Sequence, residues 1–123
     1  MGADFRGFDE AEARLAAGPA RLRDALYAAT KDGTALVATA IRANTPVRSG
    51  RLLAGWRTKV EQTGDGAVGT ISDRVRYAPF VERGQHPHEP MRAQPMVAKG
   101  VAETTEPVRR LYEIKVAEAV RTL

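Results

Sequence analysis

The run Gln85-His86-Pro87-His88-Glu89 is the only local cluster of metal-ligand side chains in the 123-residue chain. Two imidazoles with Glu82 or Glu89 supply donor types that hold zinc, but their spacing matches no common zinc site. Prolines at 87, 90 and 95 also interrupt any helix or strand that would fix them. The expectation is a mobile, solvated loop over residues 84–95 and no metal. Nucleophilic catalysis would need Ser49 or Ser72 beside a base and an orienting carboxylate, and no convincing pair stands near either. Glu103 and Glu106 fall one helical turn apart, which suits a charged solvent face better than a general-acid pair. Gly64-Asp65-Gly66 lies between two strand-like runs, so it reads as a hairpin turn and not as a phosphate cradle between strand and helix. The sequence does not read as an enzyme and asks for no cofactor.

What chemistry remains is charge. The net charge is +4, most of the basic residues are arginine, and no acid occurs between Asp32 and Glu61. Arg42, Arg48, Arg51, Arg57 and Lys59 all fall inside that interval. Such a stretch can face a polyanion or an acidic partner surface, or it can be a solvated basic face with no partner. The chain has no cysteine, which removes disulfides and thiolate metal sites. No apolar run approaches the ~20 residues that cross a bilayer. Met1-Gly2-Ala3-Asp4-Phe5 lacks the basic start and apolar stretch of a secretory signal, and Gly7 stands where a myristoylation signal prefers Ser or Thr. A cytoplasmic site of synthesis is expected.

The elements that position these residues follow from periodicity. Residues 1–18 read as an N-terminal arm, with one or two helical turns over 9–17. Gly18-Pro19 then breaks the pattern, and Pro19 suits the first position of the next helix. Leu22, Leu26, Ala29, Gly33, Leu36 or Val37, and Ala40 or Ile41 recur at spacings of three and four, which predicts one amphipathic helix to about Asn44. Gly33 marks either a tight contact or a bend. Thr45-Pro46 ends the helix, since the residue before proline is pushed out of the α region. Leu52, Ala54, Trp56, Thr58 and Val60 alternate with basic and acidic residues and predict a strand with Trp56 buried. A second strand puts Ile71, Val75 and Tyr77 on one side, and Thr70, Ser72, Arg74 and Arg76 on the other. Residues 78–84 form a helical turn closed by Gly84. The helix from Met96 onward is interrupted at Pro107, by a kink or a new start. The fold class is α+β: a long helix, a twisted antiparallel sheet built on a hairpin, a short helix and a C-terminal helix, in one domain over 1–123.

Alanine supplies 21 residues, while Leu, Ile, Val and Phe together supply 25, about a fifth of the chain. A small domain with so few large side chains gains little from its own interior. Part of its apolar surface is therefore expected to be buried against other subunits.

Three pieces occur in a telling order: Thr45-Pro46-Val47-Arg48-Ser49-Gly50-Arg51-Leu52 between helix and strand, Tyr77-Ala78-Pro79-Phe80-Val81-Glu82-Arg83-Gly84 after the hairpin, and Gln94-Pro95-Met96-Val97-Ala98 opening the last helix. Together they resemble the small tail-component proteins of siphophages, the neck, tail-completion or head–tail joining proteins. The resemblance spans roughly residues 20–120. Gln85 replaces the small hydroxyl residue usual after Gly84, and Val97-Ala98 lacks the second proline of the last motif.

That resemblance implies a structural virion protein, assembled in the host cytoplasm and placed in the neck or tail. It implies a closed ring of identical subunits, six-fold by expectation, joining tail to head around the DNA channel. Its partners would be the connector or head-closure protein and the tail-tube protein, with no membrane contact. Interface candidates are Val47, Arg48, Gly50, Arg51, Leu52, Tyr77, Phe80, Val81, Glu82 and Gly84. Within them, Val47 and Leu52 would anchor helix to sheet, and Tyr77, Phe80 and Val81 would pin the short helix to the core. Glu82 would pair with Arg48 or Arg51 in the same or the next subunit. Arg57, Lys59, Arg74 and Arg76 are candidates for non-specific contact with DNA in the lumen. The alternatives are a tail terminator or head-closure protein of a phage or phage-tail-like particle, and a stand-alone non-specific nucleic-acid-binding protein.

Overall fold

The computed structural model describes residues 2–5, 20–47, 50–64, 66–84 and 93–121, with the backbone alone for 2–5. The order is β1 (Gly2–Phe5), α1 (Ala20–Ala43), α2 (Arg51–Ala54), β2 (Trp56–Thr63), β3 (Gly66–Asp73), α3 (Ala78–Arg83) and α4 (Met96–Arg121). This is the α+β architecture expected. The predicted turns at 9–17, the start at Pro19, Arg48, and the loop residues His86, His88 and Glu89 lie outside the described residues.

The long helix forms where its stripe was read. Leu22, Leu26, Ala29, Gly33, Val37 and Ile41 are all buried along α1. Its end is tied down by side chains: Asn44 Nδ2 donates to the Ala40 carbonyl at 2.8 Å and Thr45 Oγ1 to the Ile41 carbonyl at 2.7 Å. Pro46 then prevents a further turn.

The sheet differs from a bare hairpin. Its strand order is β1-β3-β2, all antiparallel, so residues expected to be only an arm contribute an edge strand from Gly2 to Phe5. That third strand removes part of the hairpin's marginality. Gly2 pairs with Ser72 and Phe5 with Gly69. On the other side, Trp56 faces Asp73 and Thr63 faces Gly66 across the turn.

The strand predicted from Leu52 starts only at Trp56; before it, Arg51–Ala54 is a turn of helix. A spacing of four is two strand periods and also about one helical turn, so Leu52 and Trp56 reach the same interior either way. Both are buried. Gly50 settles the choice, because its φ of 82° reverses the chain into the α2 turn, and Ala54 N–H bonds back to the Gly50 carbonyl at 3.0 Å.

β3 presents Ala67, Gly69, Ile71 and Asp73 to one face, all buried, with Gly69 against Thr34 of α1 and Ile71 in the cluster of Val37, Ala38 and Ile41. Ile41, Leu52, Trp56, Ile71, Val81 and Met96 meet in the main core, while Leu26, Ala29 and Tyr112 form a second cluster. α4 runs along α1 without a break at Pro107, contrary to the interruption expected. Proline there removes one N–H donor, on a residue that faces solvent, and the helix tolerates the loss at that side. Gly33 marks a contact rather than a bend: a methyl on it would sit 3.4 Å from Val108 Cγ1. The hydroxyls of Thr30 and Tyr112 bond beneath that contact.

Candidate functional site

The three motif segments converge, but not with the roles assigned to each side chain. Leu52 is buried at 4% exposure while Val47 is 65% exposed, so only Leu52 anchors the junction of helix and sheet. Tyr77 is 38% exposed, and the pinning of α3 falls to Val81 and the fully buried Ala78 beside a half-buried Phe80. The reason is local: Tyr77 stands at the N-cap of α3, with Pro79 in the first turn, so the buried face begins one residue later. Gly84 ends α3 at φ 73°, with its N–H bonded to the Phe80 carbonyl at 2.8 Å.

Glu82 was expected to meet Arg48 or Arg51. Within the chain its carboxylate caps α4, accepting from Val97 N–H at 2.9 Å on Oε1 and from Ala98 N–H at 3.1 Å on Oε2, while Arg48 lies outside the described residues. Two orphan donors of a helix N-terminus attract a carboxylate by both hydrogen bonding and the helix dipole. The Gln94 N–H also bonds to the Val81 carbonyl at 2.9 Å, which ties α3 to the start of α4. We expect Glu82→Ala to lower stability by about 1 kcal/mol, and Glu82→Gln by less, measured as the urea midpoint. Equal midpoints for all three proteins would show that the cap contributes nothing.

The four cations proposed to face DNA separate into two places. Arg57 pairs in register with Ser72 and Lys59 with Thr70, on the sheet face turned away from α1. That face is exposed at Arg57, Lys59, Glu61 and Ser72. Lys59 Nζ lies 2.6 Å from Glu61 Oε1, a bond that raises the Lys59 pKa above its ordinary value, so among the described residues Arg57 is the cation of that face without an ion pair. Arg74 and Arg76 follow the end of β3 instead of continuing it. They join Gly50, Arg51, Ala54, Val75 and Tyr77 around a groove of about 640 Å³.

A residue unremarked in the sequence shapes that groove. Asp73 is 6% exposed on the α1 side of β3, where its Oδ1 accepts the Val75 N–H at 2.8 Å and turns the chain outward. Its Oδ2 is buried with no hydrogen-bond partner among the described residues. The available signal was phase: Asp73 alternates with Ile71 and Val75, an acid at an inward position. Burial raises the Asp73 pKa above the ordinary 3.8, opposed by the Val75 N–H. Because the folded state holds this proton more tightly, the group favours folding below 3.8, and that advantage disappears as pH rises through the folded value. Asp73→Asn should therefore gain stability relative to the parent as pH rises from 3 to 7, followed by denaturant midpoints. A constant difference between the two across that range would refute it.

Among the described residues no group of three or more metal-ligating side chains comes together, and no helix is long and apolar enough to cross a membrane. The family model described as "Bacteriophage HK97-gp10, putative tail-component" matches residues 9–84, more than half of the chain. The chain belongs to the HK97-gp10-like family. It is thus a phage tail component, a structural protein of the virion. The matched stretch contains α1, the hairpin, α3 and the groove, and it stops before α4. No curated protein and no solved structure matches the chain.

Proposed function

We propose that this HK97-gp10-like chain is the subunit of a ring in the neck or tail-completion region, joining tail to head around the DNA channel. The observation that carries the reading is the sheet: its α1 side is buried, and its other side is polar and exposed along Arg57, Lys59 and Ser72. A subunit that borders a channel needs such a face, free of large apolar side chains and modestly basic. The means of association are present as well. β2 is an edge strand of eight residues with one side unpaired among the described residues, and Leu36, Val47, Ile114 and Val120 are exposed. The interior is correspondingly slight, with Leu26, Ile41, Ile71 and Met96 the only large side chains fully enclosed among the described residues.

Six copies of a 13.3 kDa chain would weigh about 80 kDa. Native mass spectrometry of the protein with connector and tail-tube components is expected to show that closed species. A chain that stays monomeric with both components present would overturn the reading. Capture by the connector or by the tube then separates head closure from tail completion or termination. With Arg57 as the one cation on each open face without an ion pair among the described residues, duplex affinity should fall with salt at a log–log slope of about −5 for six subunits. Arg57→Glu should abolish it without disturbing the ring.

A further inference from the structure

We propose that the groove between α2, the end of β3 and the start of α3 is the socket for an acidic segment of a neighbouring copy, Phe8-Asp9-Glu10-Ala11-Glu12. This rests on the ring-subunit reading and names the contact that would build it. Arg74 and Arg76 flank Val75 on the groove, both exposed, and neither makes an ion pair among the described residues. The turn at Asp73 fixes the backbone from which they project. Beside them Val75, Ala54 and the half-exposed ring of Tyr77 supply an apolar wall. Guanidinium groups fit carboxylates and phosphates alike, each through paired hydrogen bonds. The wall decides between these: a DNA backbone offers little to an aliphatic and aromatic surface, whereas a peptide with an aromatic ring beside its carboxylates fills it.

Residues 8–12 have that chemistry, with one phenylalanine and three carboxylates in five positions. Four of the acids lie between residues 4 and 12 against the single Arg6, while none lies between Asp32 and Glu61. The topology favours a neighbour as the donor. β1 enters beside Ser72 and leaves at Phe5 beside Gly69, so the chain exits about 13 Å along β3 from the Asp73 end where the groove lies. In each copy the chain therefore leaves β1 at one end of the sheet, and the basic groove lies at the other. Contacts of that head-to-tail kind are heterologous and close into a ring when the rotation permits.

The first test is a fluorescent peptide of residues 4–14 titrated onto the full chain. Binding should be saturable and fall at least tenfold with Arg74→Ala/Arg76→Ala, and likewise when Asp9, Glu10 and Glu12 of the peptide become Asn, Gln and Gln. The second reads assembly by native mass spectrometry. Asp9→Lys/Glu10→Lys should lose the ring, Arg74→Glu/Arg76→Glu should lose it too, and a chain carrying all four changes should regain it. Circular dichroism confirms that each variant is folded. Peptide binding indifferent to Arg74 and Arg76, or a ring that survives either reversal, overturns the socket while leaving the ring intact. Duplex DNA binding lost with Arg74→Ala/Arg76→Ala, with no peptide binding, overturns it in favour of a phosphate site. A parent chain that never forms a ring but binds the peptide as described sinks the ring reading and keeps the socket.

Discussion

Replacing Gly100 with alanine should lower the melting temperature by about 6–10 °C, a loss of about 2 kcal/mol. Two effects oppose each other at this position. Alanine gains about 1 kcal/mol of helix propensity over glycine. Against that, the new methyl would lie 2.5 Å from Ile41 Cγ1, 2.9 Å from Ile41 N and 3.0 Å from Ile41 Cα. A side-chain atom can turn aside, but backbone atoms of a buried helix cannot move without opening the contact between α1 and α4. Overpacking of that kind costs about 1–3 kcal/mol and more where the backbone is the obstacle, so it outweighs the propensity gain. Gly64→Ala serves as the control, since nothing lies within 4 Å of a methyl there. Differential scanning calorimetry of the two variants tests the claim. A Gly100→Ala protein as stable as the parent would mean that the helices are not packed through this glycine.

Such an approach was half legible in the sequence. The stripe from Leu22 to Ile41 gave α1 and its inner face, because a spacing of three and four over six residues has no other simple reading. It could not give the partner. Gly33 stands out as a helix-weakening residue, yet only the three-dimensional fold shows that Val108 presses on it, and that Ile41 presses on Gly100, which the sequence reading passed over. The hairpin was legible from alternation and from its turn. β1 was not, since four residues at an edge carry no period that separates a strand from an arm. α2 was missed because Leu52 and Trp56 obey both periods at once.

The site was legible in its pieces and not in its assignments. The motif segments come together, but partner chemistry was read into charged residues that the fold uses internally. Glu82 is spent on the N-terminus of α4, and Lys59 on Glu61. Arg74 and Arg76 seemed to continue a strand face, whereas Asp73 turns them out of the sheet. Sequence phase shows which residues share a side while a strand lasts; it does not show where the strand stops. A hydrogen bond made two residues ahead by one acid was enough to move two cations from the open sheet face to the groove.

The turn most exposed to a single polar change is the one around Thr45. Its Oγ1 donates to the Ile41 carbonyl at 2.7 Å and accepts the Trp56 Nε1–H at 2.9 Å, so one hydroxyl ties the end of α1 to the first residue of β2. Both Thr45 and Trp56 are buried. Thr45→Val keeps shape and volume while leaving the indole N–H without a partner, and an unmet buried donor costs about 1–3 kcal/mol. We expect a loss near the upper end of that range, because the Ile41 carbonyl loses its side-chain donor in the same step. Thr45→Ser, which keeps the hydroxyl, should lose far less. The discriminating variant is Thr45→Val/Trp56→Phe. If the loss arises from the orphaned N–H, the coupling between the two changes will be favourable, and the double variant will lose less than the single losses combined. Strict additivity in urea denaturation followed by far-ultraviolet circular dichroism would assign the cost to packing and remove the hydroxyl from its place as the latch between helix and sheet.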